Sequence, residues 1–253
     1  MKIFWAFCIY NEREMLPFKI DFMRKNAINF YVFDNVSVDG SWEWLQENKI
    51  PSGRFNSDGM FNLTLNLSLL TKKIHEVKPD WVIMAGTDTF YVHGKRTLRE
   101  TIESVDKQGF NCIYDVFKSF QFMFTGEEKP GEDPRLTYMY YVLKSFNNVC
   151  CIAKYCSQLK FRSADCLVVP KAKLYQDGDF VALHYSMRHD AENRKTEQYI
   201  RRKKAWDSGR TARCYGTHYE RIVNSGRFIF DKKDLLDVRD SFLWGAIRKS
   251  VEA

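Results

Sequence analysis

Three acidic residues stand where an apolar run gives way to polar sequence: Glu12 after Ile3–Tyr10, Asp34 after Phe30–Phe33, and Asp88 after Trp81–Ala85. Asp39 follows the second of these, in Asn35-Val36-Ser37-Val38-Asp39-Gly40-Ser41, and Thr87 precedes the third. One acid after a strand is ordinary, because it can cap the next helix. Three in succession are harder to treat as caps. Carboxylates gathered at one sheet edge repel each other unless a cation or hydrogen-bond donors offset them. A divalent cation would do so, and with basic residues nearby it would stabilise the charge of a departing anion.

A second group lies far downstream. His184 and Arg188 follow the apolar run Phe180–Leu183 and open a basic segment. From His184 to Arg213 there are nine Lys/Arg against four Asp/Glu. That excess suggests an anionic ligand, and a solvated basic helix face explains it equally well. A histidine beside Tyr185 is more often a satisfied core residue than a ligand; its place ahead of the basic segment favours the ligand. Arg201-Arg202-Lys203-Lys204 cannot all face one way on a helix, so at most two of them meet any single ligand.

The elements that must position these residues follow from pattern. Lys2–Tyr10 reads as a buried strand. Asn11 with Glu14 has the form of a capping box opening a helix through about Lys25, with Met15, Phe18, Phe22 and Met23 inward. Phe30–Phe33 is a second strand, and Trp42–Asn48 a short helix. Leu63, Leu67, Leu70, Ile74 and Val77 make a helical stripe, which Pro79-Asp80 ends before the strand Trp81–Ala85. Leu98, Ile102 and Val105 mark a further helix, and Phe110–Val116 a further strand. This alternation predicts an α/β fold, a mixed, mostly parallel sheet flanked by helices. Later come a polar loop over Glu127–Pro134, strands near Asn148–Ile152 and Leu167–Val169, and a helix from about Lys232 to Lys249. Phe117, Phe120, Phe122 and Phe124, with Tyr138, Tyr140 and Tyr141, suit either a stacking platform for a ligand or core packing, and packing is favoured.

The chain has 253 residues, 45% of them hydrophobic, enough to fill one large core. No run approaches the roughly 18 apolar residues of a membrane span. Seven cysteines without a Cys-x-x-Cys pair fit a reducing compartment, the cytosol, and speak against a zinc site.

The motifs resemble glycosyltransferase family 2 and its relatives. Cys8-Ile9-Tyr10-Asn11-Glu12 with Leu16-Pro17-Phe18 is similar to that family's opening. The Phe33–Ser41 run is similar to its Asp-Asn-x-Ser-x-Asp-Gly motif, and Asp80–Phe90 to its Trp, hydrophobic strand and Asp-x-Asp-Glu-Phe. His184-Tyr185-Ser186-x-Arg188 is similar to its C-terminal His-Tyr segment. Together they cover about residues 1–205 in the family's order. The first acid of Asp-x-Asp is Gly86 here, and the glutamate after it is Thr89.

The resemblance implies a GT-A fold over 1–205, with 1–110 as the nucleotide-sugar half, 111–205 as the acceptor half, and 206–253 as a helical extension packed on it. It implies a metal-dependent hexosyl- or pentosyltransferase that inverts configuration, using a nucleotide-sugar, a UDP-sugar first, with Mn2+ or Mg2+. Glu12, Asp34 and Asp39 would hold the nucleoside with Thr87 beside them, Asp88 and His184 the metal, and Arg188 would lie near the phosphates. Inversion wants a general base by the acceptor hydroxyl: Asp165 is the first candidate and Asp115 the second, with Glu127, Glu128 and Asp133 behind them. Two acceptors stay open, a surface glycan or a polyanion such as modified phage DNA. The competing reading is a domain that kept the fold and lost catalysis, or a basic nucleic-acid-binding module.

Overall fold

Ile3–Ile9 is apolar at every position and buried almost throughout, as a central strand with both faces covered must be. This is β1. The computed structural model describes residues 1–115, 119–144, 149–163, 166–189, 191–209, 217–241 and 243–252. At 115, 119, 144, 149, 162, 163, 166, 191 and 217–219 the description is of backbone only.

After β1 come α1 (Leu16–Lys25), β2 (Asn29–Asp34), α2 (Ser41–Glu47), β3 (Ser52–Arg54), α3 (Leu63–Val77) and β4 (Trp81–Ile83). Then follow β5 (Thr89–His93), α4 (Leu98–Lys107), β6 (Cys112–Asp115), β7 (Ser119–Phe122), α5 (Pro134–Thr137), β8 (Tyr140–Lys144) and β9 (Val149–Lys154). The chain continues through β10 (Lys160–Ser163), β11 (Cys166–Val168), β12 (Leu174–Tyr175), β13 (Phe180–His184), α6 (Ala191–Asp207), α7 (Thr217–Ser225), β14 (Leu236–Asp237) and α8 (Leu243–Glu252).

The expected mixed, mostly parallel α/β sheet is present, in the order β12-β6-β9-β4-β1-β2-β3. β3, β2, β1 and β4 run parallel, and β9 lies antiparallel between β4 and β6. β6 therefore points the same way as β4. The carboxyl ends of β1, β2, β4 and β6 share one rim, where ligands of open α/β sheets bind.

The sequence pattern read above contains only one strand of a second, five-stranded sheet, β14-β8-β7-β13-β5: the apolar run Phe180–Leu183, which is β13. Its pivot is β5, which begins one residue after Asp88 and pairs antiparallel with β13, setting His184 opposite Thr89. Phe120, Phe122, Tyr138 and Tyr141 are buried here. Phe122 stacks on Tyr185 with ring centroids 4.6 Å apart, so these aromatics are core. Phe117 lies outside the described residues.

Two local expectations fail for identifiable reasons. No capping box opens α1: Asn11 adopts φ 54°, its Oδ1 accepts from Val38 N at 2.9 Å, and Glu14 contacts His189 Nδ1 at 2.9 Å. The helix over 232–249 is interrupted. The Asp231 and Asp237 carboxylates accept from Lys233 N and Arg239 N, closing two tight turns around β14, so only α8 is α-helical.

Candidate functional site

The loops after β1 and β2 are stitched together by side chains accepting backbone N–H groups. Asn11 N donates to Ser37 Oγ at 2.9 Å, Glu12 N to Ser41 Oγ at 3.0 Å, and Arg13 N to Asp39 Oδ2 at 2.9 Å. The other oxygen of Asp39 takes Ser41 N and Ser41 Oγ at 3.0 and 2.6 Å. Asp34 has no exposed surface; it accepts from Ser37 N at 3.3 and 3.2 Å and pairs with Arg54 Nε at 3.2 Å. Asp34 and Asp39, two of the three carboxylates named as nucleoside ligands, are thus engaged within the chain.

One strand over, the charges are arranged differently. Asp88 Oδ2 lies 3.3 Å from His184 Nε2, although 96 positions separate them in sequence, and Tyr185 N donates to the Asp88 carbonyl at 2.8 Å. The pairing of β5 with β13 brings them together. Burial pushes the Asp88 carboxyl upward. The His184 contact, then Arg188 and Lys195, outweigh it and hold the group well below the usual carboxylate range. Thr87 is buried beside it. A Cβ added at Gly86 would meet Asp88 Oδ1 at 3.0 Å, so the position where the resemblance expects another acid does face this spot.

Glu12 is gripped by two arginines, Arg188 Nη2 at 2.8 Å and Arg194 Nη2 at 2.7 Å. Burial raises its carboxyl to about 7, Arg188 opposes the shift, and Asp88 adds to it. Arg188 is 1% exposed, yet among the described residues its Nε and Nη1 have no hydrogen-bond partner, nor does Nη1 of Arg194. A guanidinium carries five donors, and leaving buried ones unmade is costly. The cluster is short of acceptors.

Lys195 joins it from α6. It is buried, and burial lowers its ammonium to about 8 while the Asp88 charge pulls the other way. Lys19 lies beneath, fully buried, with Nζ 3.5 Å from the Trp5 ring centroid and donating to the Thr89 carbonyl. Further along α6, Glu197 accepts from Tyr10 Oη at 2.6 Å and from Asn11 Nδ2, and the Arg201 guanidinium sits 3.3 Å over the Tyr10 ring. The basic segment is therefore not a solvated face. Arg188, Lys195 and Arg201 are buried, whereas Lys203 and Lys204 face solvent.

Arg194, Lys195, Lys19 and Arg201 were not singled out in the sequence as members of this site. Their signal was present but ambiguous, because a basic helix looks the same whether its cations face a rim or water. Of the two base candidates, Asp165 lies outside the described residues. Asp115 is placed by backbone alone, at the carboxyl end of β6 on the rim that carries Asp88.

Asp88 and His184 contact each other directly, and the same two groups could hold a divalent cation. Neighbouring corners of an octahedron with bonds of about 2.1 Å lie about 3 Å apart, close to the observed 3.3 Å. A different group, His93, Asp177 and Asp179, also brings ligand atoms within 4.8 Å of one another, at the opposite end of the β5–β13 ladder. There His93 Nδ1 accepts from Lys95 N, and Asp177 takes Tyr175 Oη at 2.7 Å, so the group is already satisfied. Among the described residues no helix is long and apolar enough to cross a membrane.

No family model matches the chain, and no curated protein matches it. Among solved structures it is similar to S. aureus TarS 1-349, with a TM-score of 0.42 and 11% identity over 88% of this chain and 69% of that one. The same fragment in complex with UDP-GlcNAc gives 0.37 and 12% over 89% and 71%. Glucosyl-3-phosphoglycerate synthase from Mycobacterium tuberculosis in complex with phosphoglyceric acid gives 0.31 and 14% over 47% and 44%.

Proposed function

We propose that this chain is a glycosyltransferase with a GT-A fold that moves a hexosyl or pentosyl group from a UDP-sugar to an acceptor hydroxyl, inverting configuration at the transferred carbon. The observation that carries the reading is the meeting of Asp88 and His184 at 3.3 Å on the carboxyl rim of the sheet. They come from two of the four motifs that resemble the family, and the resemblance would make both of them metal ligands.

Asp88 and His184 would hold Mn2+ or Mg2+, which supplies charge neutralisation for a departing diphosphate. The chain's own cations do the rest. The unpartnered donors of Arg188 and Arg194 and the ammonium of Lys195 are aligned before any ligand arrives. Preorganised donors stabilise developing charge without reorganising at the moment of reaction. Lys19 holds the Thr89 carbonyl and so fixes the turn that presents Asp88. Asp39 shapes the nucleoside wall by tying the loops after β1 and β2 together, Asp34 braces the second loop through Ser37 N and Arg54, and Glu12 balances the arginines. Asp165 and Asp115 remain the candidates for the base that takes the acceptor proton.

The test is incubation with Mn2+ and a panel of UDP-, GDP- and deoxythymidine-linked sugars. Slow hydrolysis of one donor, lost in Asp88→Ala and on chelation, is the expected result. A chain that stays folded and is neither stabilised nor active with any of them is a degenerate domain, and the proposal fails.

A further inference from the structure

His184 stands between two neighbours on its sheet. β5 runs antiparallel beside it with Thr89 opposite, and β7 runs parallel on the other side with Gln121 opposite. Side chains at paired positions of adjacent strands share a face, about 4.8 Å apart. Thr89 is already committed, its hydroxyl donating to Asp88 Oδ1 at 3.5 Å. Gln121 is committed at one end only. It is 5% exposed, and its Nε2 donates to Ser186 Oγ at 2.8 Å, while its Oε1 has no partner among the described residues. A buried amide oxygen without a donor is costly and asks for an explanation. On the side away from His184 no donor is at hand: Val142, opposite Gln121, packs in an apolar cluster with Met123 and Met187.

His184 has the complementary need. Its Nε2 lies 3.3 Å from Asp88 Oδ2, and its Nδ1, the ring nitrogen nearer the backbone, makes no hydrogen bond among the described residues. A neutral imidazole carries one proton. Ligation of a cation through Nε2 uses the lone pair there and leaves that proton on Nδ1. Histidines that bind metals donate it to a fixed acceptor, which sets the direction of the ring. The bond to Ser186 takes the amide nitrogen of Gln121 and leaves its oxygen for this proton.

We infer that Gln121 is a positioning residue for His184: its Oε1 accepts from Nδ1–H and so holds the imidazole with Nε2 toward a divalent cation shared with Asp88. The inference rests on the metal reading above. The test compares wild type with Gln121→Met, which keeps the length of the side chain and removes the acceptor. Electron paramagnetic resonance with UDP present reads Mn2+ affinity, and NMR of the chain labelled at histidine nitrogen, with Mg2+ and UDP, reads His184 Nδ1–H. Wild type should show a slowly exchanging Nδ1–H. The variant should lose that signal and bind Mn2+ about tenfold more weakly. Circular dichroism checks its fold, and Gln121→Asn, which withdraws the same amide by one methylene, repeats the readings if the methionine chain misfolds. Equal Mn2+ affinity in the two chains, or no protected Nδ1–H in loaded wild type, overturns the inference and leaves the metal reading standing. Weaker affinity with the Nδ1–H signal intact also overturns it, because Gln121 would then act on the cation without His184. A wild-type chain that binds no Mn2+, with or without UDP, removes both readings together.

Discussion

Two stretches of the same rim, one strand apart, use the same residue types for opposite ends. Around the loop after β2, acceptors and donors are matched: Asp34 is spent on Ser37 N and Arg54, Asp39 on Arg13 N and Ser41. Around β5 and β13, donors outnumber acceptors among the described residues. Arg188 and Arg194 keep unpartnered donors, and Lys19 and Lys195 are buried cations. The first stretch is finished as it stands. The second is short of negative charge, the condition of a site waiting for an anion. An acid at a strand end therefore says little by itself; what matters is whether the donors around it are already taken.

Asp88→Ala gives the largest contrast. Donor turnover should fall about 10²–10³-fold, the usual cost of removing one well-placed electrostatic group, and the melting temperature should fall as well, because Arg188 and Lys195 lose a countercharge where they are buried. Lys195→Met sharpens the contrast from the other side. Burial lowers this ammonium to about 8 from 10.5, so between those pH values the unfolded chain binds more protons than the native one. Stability from this group therefore rises with pH across that window. The variant lacks the rise. At neutral pH it should be more stable than wild type by on the order of 3 kcal/mol, with the gap closing toward the upper value. It should also bind the donor about tenfold more weakly. Denaturant titrations at several pH values, paired with donor binding, read both; a variant that loses stability and binding together would make Lys195 an ordinary packing residue.

The strands and helices that carry the first stretch were legible in the sequence, because β1, β2 and β4 are apolar runs and α3 shows a stripe of leucines. The candidate metal pair was legible only through motif order, since nothing local tells His184 from a core histidine. The second sheet was not legible. β5, Thr-Phe-Tyr-Val-His, follows Asp88 directly and reads as a continuation of the motif, while β7 and β8 read as an aromatic-rich packing segment. Their identity depends on pairing partners distant in sequence, which no local period reports. The inward turn of the α6 cations was equally hidden. Helical periodicity is tracked by apolar residues, and here Arg194, Lys195 and Arg201 occupy the inner positions instead.

Asp34→Asn and Asp39→Ala give the smallest effects and bear most directly on the claim that the first stretch is complete in itself. Asparagine at 34 keeps an acceptor for Ser37 N and presents an amide where Arg54 expects a carboxylate. Arg54 is 38% exposed and can turn to water, so the cost should be about 1–2 kcal/mol, less than for a fully buried pair. Asp39 is exposed, and alanine there removes the acceptor for Arg13 N and Ser41 N. That resembles loss of a helix cap, about 1 kcal/mol, or about 2–4 °C in melting temperature for a chain of this size. If both carboxylates act only within the chain, donor affinity should stay within about twofold in Asp39→Ala once the fall in stability is allowed for. A tenfold loss of donor affinity at unchanged melting temperature would mean that Asp39 leaves Ser41 to meet the nucleoside. The matched stretch would then belong to the binding site as much as the unmatched one does.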